Sequence, residues 1–414
     1  FGGSMNTIGI VSEYNPFHLG HHHQIKESVK KTGAQGVIAL MSGSLTQRGE
    51  FSLFNKWEKS RLALSSGVDL VIELPVVFAG QSAEYFSSGA VRILELCGVC
   101  DFLCFGSESG DLHDLLPLSQ LLADEPPAFK ENLSFFLSQG YSFAKARELT
   151  VKTLLGSNVS RLLLKPNNIL ATEYLKALRR LNSSIQPVTI KRIGADYHSL
   201  EDSNFLSATA IRSILSQFSN DQNQAKLYQT LEQKLPYPTE RLMPLLKNVN
   251  FSGKQKMLDA LRLLILNDHV AALKLYPDVS EGLEYKIKDA LKSAENYDEL
   301  IANIISKRIP KTRVNRILTN RLLDLKKTDL DRLNKTTPYL RILGFNQIGR
   351  EILRQIKNKD QIIMINNPRK KINQLNVCQQ QMLHYDIRAT DLHNLLFEKT
   401  YCYHRDFFTN PLLF

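Results

Sequence analysis

A short apolar run that stops at a turn and restarts as a helix constrains this chain more than any other feature. Ile8–Ser12 reads as a buried strand, Glu13-Tyr-Asn-Pro-Phe17 as a turn, and the stretch from about Gly20 to Thr32 as a helix. The junction carries Asn15-Pro16-Phe17-His18-Leu19-Gly20-His21. A helix N-terminus offers free backbone N–H groups and the positive end of a dipole, which suits phosphate. Two histidines within one turn can point at the same phosphates and donate to oxygens that gain charge when an α-phosphate is attacked. Gly20 leaves no Cβ between the backbone and a nucleotide.

Strand-like and helix-like segments then alternate, the pattern of a mainly parallel sheet. Gly36–Met41, Asp69–Leu74 and Phe102–Phe105 read as strands; helices are expected to close over Ser60–Ser66 and to span Ala83–Leu96. Ser160–Leu164 and Pro187–Arg192 are expected as later strands around a helix over Leu170–Leu181. From about Ser207 the apolar residues recur at helical spacing, as in Leu258, Leu261, Leu264 and Ile265, with Gln361–Ile365 a strand-like exception. At 414 residues, two or three domains are expected. The division is an α/β domain over 5–215 and a mostly helical region over 216–414, with the boundary near 215–250.

Charge divides the chain in the same place. Of 52 basic and 41 acidic residues, the first 215 positions hold 20 of each, so the remainder carries the whole net charge of +11. Residues 301–350 alone have 12 basic and 3 acidic side chains. A local excess of that size repels itself without a polyanionic partner, so the second half is expected to bind nucleic acid, with Lys307, Arg308, Lys311, Arg313 and Arg316 on phosphates. A solvated basic surface is the bland alternative.

The five cysteines are odd in number and three cluster (Cys97, Cys100 and Cys104), which is no disulfide framework; they are expected to pack as small apolar side chains beside a strand. Phe1 to Ser4 read as a cloning remnant ahead of a natural start at Met5. No apolar run approaches the roughly 20 residues of a membrane span, and no signal peptide is evident. A cytoplasmic location is expected, with no membrane partner. No metal site is expected either: consecutive helical side chains spread around the axis, so His21, His22 and His23 do not converge on one ion.

His18-x-Gly20-His21 resembles the signature of the nucleotidyltransferase superfamily, and the run Glu13 to His21 is more specific. With Met41-Ser-Gly43, Gln47-Arg-Gly-Glu50, Asp69-Leu-Val-Ile-Glu-Leu-Pro75, Ser82-Ala-Glu84, Phe105-Gly-Ser-Glu108, Pro166-Asn-Asn-Ile-Leu170, Tyr197-His198 and Ser207-Ala-Thr-Ala-Ile-Arg212, it is similar to the bacterial tRNA(Met) cytidine acetate ligases. The blocks cover most of residues 5–215. The resemblance implies a Rossmann-like nucleotidyltransferase domain followed by the helical basic region. It further implies activation of acetate by ATP as acetyl-adenylate, release of pyrophosphate, and acetyl transfer to N4 of the wobble cytidine of elongator tRNA(Met), with Mg²⁺ on the ATP phosphates.

The resemblance also suggests roles. Val11, Ser12, Glu13, Tyr14, Asn15, Pro16, Phe17, His18, Leu19, Gly20, His21, His22, His23 and Gln24 would line the ATP site, with His18 and His21 on the phosphates. Gly106, Asn167, Arg192 and Ile193 would supply the remaining ATP contacts. Ser207, Thr209 and Arg212 would form a second phosphate motif: a helix cap, a hydroxyl and a fixed cation. Met41-Ser42-Gly43, Arg48 and Lys56 are weaker candidates for the acyl pocket or pyrophosphate. Ala171 stands where the family is expected to have glycine, no Lys-Met-Ser-Lys-Ser loop occurs, and the second half carries no matched motif. From the residues alone, a small-molecule adenylyltransferase and a non-catalytic RNA-binding protein remain open. Asn167 and Asn168 as a turn and cap, and Arg48 and Lys56 as solvated charges, are the plainer readings.

Overall fold

A computed structural model describes residues 5–192, 205–216, 230–280, 282–357 and 362–414. Eight strands make one sheet: β1 (Thr7–Ser12), β2 (Gly36–Ser42), β3 (Leu70–Leu74), β4 (Phe102–Ser107), β5 (Gln186–Lys191), β6 (Leu340–Phe345), β7 (Met364–Ile365) and β8 (Leu412–Leu413). Their order is β5-β4-β1-β2-β3-β6-β7, with β8 alongside β6. The five strands from β5 to β3 are parallel. From β1 the chain builds outward through β2 and β3, then returns to lay β4 and β5 on the other side. The order therefore reverses at β1, and the crevice over the carboxyl ends of β1 and β4 is where open α/β sheets bind ligands.

Both faces of β1, β2 and β3 are buried, which explains their continuous apolar runs. Ile8, Ile10, Val37, Ala39 and Met41 face one core, and Ile38, Leu40, Leu70 and Ile72 face the other. Cys97, Cys100 and Cys104 are buried within this packing. A Cβ on Gly9 of β1 would lie 2.8 Å from the Cys100 sulfur, so the strand and the thiol approach closely.

The sheet is not confined to the first half. β6 pairs antiparallel with β3, Leu70 opposite Phe345 and Ile72 opposite Ile342. This strand is not among those expected from the sequence; its Arg341 side chain is 1% exposed and paired with Asp406. One core joins Leu40 and Ile72 to Leu258, Ile317 and Leu340, so a cut near 215–250 divides the sequence but not this core. The rest of the second half is mostly helical, including Gly253–Asn267, Leu283–Ser293, Lys311–Leu323 and Val377–Phe397.

Two expectations change. Ser160–Leu164 is helical, an α turn at Ser157–Arg161 followed by a 3₁₀ turn at Leu162–Leu164. Its Ser-Arg-Leu-Leu-Leu has no β-branched side chain, and Leu163 packs with Leu118, Leu122, Phe129 and Val151 in a separate small core. The Gln361–Ile365 run contributes only Met364–Ile365 as β7; Gln361 lies outside the described residues. No helix among the described residues is long and apolar enough to cross a membrane.

Candidate active site at the strand–helix junction

Helix α1 (Leu19–Thr32) starts directly over the carboxyl end of β1, with His18 as its N-cap. The cap is reciprocal. His18 Nδ1 accepts from the Gly20 N–H at 3.0 Å, and His21 Nδ1 accepts from the His18 N–H at 3.3 Å. Both rings accept at Nδ1 from backbone donors, so in the neutral imidazoles the proton resides on Nε2. The rings stack with centroids 3.8 Å apart and 26° between planes. Burial, together with Arg192 and Arg212, pushes the His18 pKa down to about 3; burial, His18 and Arg192 hold His21 well below its ordinary value. Two neutral N–H donors at a helix N-terminus can serve phosphate oxygens without titrating.

The turn before α1 is held from several directions. Asn15 Oδ1 accepts from the Leu53 N–H at 2.7 Å, and the Asn15–Pro16 bond is cis. Tyr14 has φ +44° and packs its buried ring 4.6 Å from Phe17 and 5.0 Å from His21. Glu13 Oε1 accepts from the Gln47 N–H at 2.7 Å, which places the Gln47–Glu50 loop beside the site. Phe17 O accepts from the Tyr237 hydroxyl at 2.8 Å, a contact from the second half. Val11 and Ser12 end β1, and Leu19 opens α1. His22 and His23 turn away: His22 Nδ1 meets Ser66 O at 3.1 Å and His23 packs on Phe205, while Gln24 reaches Cys104 O at 3.5 Å. Among the described residues no group of three or more His, Cys, Asp or Glu side chains gathers as a metal site.

The structure brings the later motif to this junction. Ser207 Oγ accepts from the Ala210 N–H at 3.1 Å and caps the helix Ala208–Ser216. Arg212 donates to Asn15 O at 2.7 Å and to Thr209 Oγ1 at 3.3 Å. Residues almost 200 positions apart thus meet at the turn. Arg192 follows β5 and lies against Gly106 of β4, where a Cβ would be 3.2 Å from Arg192 Cγ. The charges of Arg192 and Arg212 both act on His18, and Arg48 acts on Arg192. The histidine cap thus has two guanidinium groups, Arg192 and Arg212, near enough to act on it. Ile193, with Tyr197 and His198, lies outside the described residues.

Other motif residues turn out to shape the site's walls. Glu108 binds the N-terminus of the helix Pro166–Arg180: its carboxylate accepts from Asn167 Nδ2 at 2.7 Å, the Asn167 N–H at 3.2 Å and the Asn168 N–H at 2.7 Å. Asn168 Oδ1 accepts in return from the N–H groups of Glu108 and Ser109. Asn167 and Asn168 therefore lie inside the first turn of this helix rather than capping it: Lys165 is the N-cap, and Glu108 from β4's end receives their N–H groups. Lys56 is fully buried and bonded to Glu73 at 2.9 Å and Asp406 at 2.6 Å, so it is not a solvated charge. Beside it lies a lysine the sequence reading passed over. Lys59, also buried, donates to Glu13 O at 3.0 Å and Ser42 O at 2.7 Å, tying the ends of β1 and β2 together. Burial lowers its pKa to about 7. Nothing in the spacing of the helix Lys56–Leu64 marks these two lysines as interior.

The basic segment lies next to the site. A Cβ on Gly49, at φ +73°, would lie 2.5 Å from Arg316 N, and Thr319 Oγ1 donates to Gly49 O at 2.8 Å. The helix Lys311–Leu323 is therefore seated on the Gln47–Glu50 loop. Arg313 and Arg316 spend their guanidinium groups on Asp278 and Ser280, whereas Lys307, Arg308 and Lys311 are exposed.

Comparison with known proteins agrees with this geometry over nearly the full length. The family model HIGH Nucleotidyl Transferase matches residues 5–406. A tRNA(Met) cytidine acetate ligase of Clostridium perfringens is 40% identical over 421 residues, covering 99% of this chain and 100% of the relative. A tRNA(Met) cytidine acetate ligase of Clostridium kluyveri is 40% identical over 423 residues, covering 99% of each. The crystal structure of Thermotoga maritima TmcAL bound with alpha-thio ATP superposes with a TM-score of 0.88 at 30% identity, covering 99% of both chains. The stacked histidine cap is thus set in a chain that, from one end of the match to the other, belongs to the tRNA(Met) cytidine acetate ligase family of HIGH nucleotidyl transferases.

Proposed function

We propose that this chain is an ATP-dependent ligase that activates acetate as acetyl-adenylate and transfers the acetyl group to N4 of the wobble cytidine of elongator tRNA(Met). The observation that carries the chemistry is the pair of Nε2–H donors of His18 and His21 at the N-terminus of α1, beside Arg192 and Arg212. The acceptor is taken from the full-length kinship with ligases of that name.

In the first step an acetate oxygen attacks the α-phosphorus, the bond to the bridging oxygen breaks, and pyrophosphate leaves. Charge builds on the phosphate oxygens, where fixed donors stabilise more in the transition state than in the ground state. His18 and His21 donate there, with Arg192 and Arg212 as the cations. Ser207 caps the helix that carries Arg212, and Thr209 Oγ1 accepts from its guanidinium. Val11 to Gln24, apart from His22 and His23, would form the nucleotide wall with Gly106, and Asn167 would stand at its edge. Mg²⁺ would be held chiefly by phosphate oxygens and water. In the second step N4 of the cytidine attacks the acetyl carbon, AMP leaves, and N4 loses a proton.

Acetate-dependent exchange of labelled pyrophosphate into ATP tests the first step, and transfer of labelled acetate to tRNA(Met) tests the second. Exchange that is independent of acetate, or label that never reaches RNA, overturns the reading.

A further inference from the structure

The helices Pro127–Ser138 and Phe143–Leu155 form a hairpin whose tip is apolar where water should meet it. Phe135 is 58% exposed and Phe143 59% exposed, and Tyr141 between them is also exposed. The rings of Phe135, Phe136 and Tyr141 form one connected patch, while the Phe143 ring faces the Arg147 guanidinium at 6.0 Å. Phe135 meets Phe136 edge-on at 5.4 Å, and Phe136 meets Tyr141 edge-on at 6.2 Å. The hairpin's own small core of Leu118, Leu122, Phe129, Val151 and Leu163 does not include these rings. Exposed aromatic surface of this kind marks a binding site.

Its neighbour identifies the partner's chemistry. Arg308 donates to Gly140 O at 3.2 Å, so the hairpin tip touches the turn that carries Lys307, Arg308 and Lys311. All three are exposed. Lys311 begins the helix whose Arg316 backbone abuts Gly49. At a rise of about 1.5 Å per residue, those five residues span roughly 7.5 Å. Aromatic faces, then cations, then the catalytic crevice thus follow one another along a single edge. Rings that stack bases beside cations that hold phosphates are the arrangement that binds unpaired nucleic acid.

We infer that the tip of this hairpin, with Phe135, Tyr141 and Phe143, is a stacking platform for unpaired bases of the RNA substrate, and that Lys307, Arg308 and Lys311 hold the adjoining phosphates. This rests on the ligase reading and adds the surface that receives the RNA. A protein partner or a second copy would use the rings without needing the cations.

The test measures binding of the full-length enzyme to tRNA(Met) transcript across a salt series. Joint replacement Phe135→Ala, Tyr141→Ala and Phe143→Ala is expected to weaken binding about ten-fold or more with the salt slope kept. Joint replacement Phe135→Leu, Tyr141→Leu and Phe143→Leu, which keeps apolar bulk, is expected to weaken it similarly. Lys307→Ala with Arg308→Ala is expected to lower the salt slope by about 0.7–0.9 per phosphate lost. Acetate-dependent pyrophosphate exchange stays at the wild-type level in all three. Unchanged affinity in the alanine variant overturns the proposal, as does full affinity in the leucine variant. A wild-type dimer that the ring variants dissolve, with tRNA affinity intact, overturns it in favour of self-association. The exposed rings of Tyr401 and Tyr403 near the C-terminus are the competing surface; loss of binding on Tyr401→Ala, with the hairpin variants at full affinity, overturns the proposal. Failure of the ligase reading itself is seen separately, as wild-type enzyme without acetate-dependent exchange.

Discussion

The imidazoles of His18 and His21 stack 3.8 Å apart because each accepts a backbone N–H across the first turn of the same helix. The cap and the proposed catalytic donors are one device: the bonds that start the helix also fix both tautomers. A side chain that caps without an Nε2–H separates the two roles.

His18→Asn makes that separation, since asparagine caps helices well. Acetate-dependent pyrophosphate exchange is expected to fall by about 100-fold or more, the size of losing one fixed donor to a developing oxyanion. Unfolding free energy measured in urea should change by only about 1 kcal/mol or less. Exchange near the wild-type rate would remove His18 from the chemistry.

The depressed histidine pKa values set a pH signature. His18 titrates near 3 and His21 well below its ordinary 6.5, so neither contributes an inflection to ATP binding around neutral pH. For stability, the unfolded chain takes up protons on these residues below about 6.5 while the folded one does not. Their contribution is complete above that pH and is lost as pH falls toward 3. Denaturation midpoints at decreasing pH should drop less steeply in His18→Asn than in wild type. Parallel curves would contradict the assignment.

Arg212 reaches Asn15 O and Thr209 Oγ1 with different guanidinium nitrogens. A lysine has a single ammonium and cannot reproduce the fork. Arg212→Lys is expected to raise the KM for ATP in exchange by about ten-fold, one charge-assisted hydrogen bond in scale. An unchanged KM would show that charge alone suffices.

Lys56 is enclosed with Glu73, Asp406 and Arg341, and Asp406 belongs to the C-terminal segment. Removing one partner of a buried cluster leaves uncompensated charge, so Lys56→Met is expected to cost about 3–5 kcal/mol in urea unfolding. A loss below about 1 kcal/mol would mean that water enters the cluster.

The sequence carried much of this on its own. The strand, turn and helix around Asn15 to His21 were legible because local geometry decides them: a continuous apolar run, a proline turn, and a cap followed by helical spacing. Both Nδ1 bonds lie within four residues, so even the histidine cap is short-range. The basic excess at 301–350 is likewise a property of composition. Tertiary structure decided what depends on contacts between distant residues. Arg341 is a buried partner of Asp406, and Lys56, which the sequence left open between an acyl-pocket or pyrophosphate contact and a solvated charge, belongs to the same cluster. Lys59 looked like any helical lysine and joins the ends of β1 and β2. Whether a charged side chain faces water or the interior depends on which partner the fold brings to it: Lys56 meets Glu73, 17 residues on, and Asp406, 350 residues on, and such separations have no periodicity in the chain.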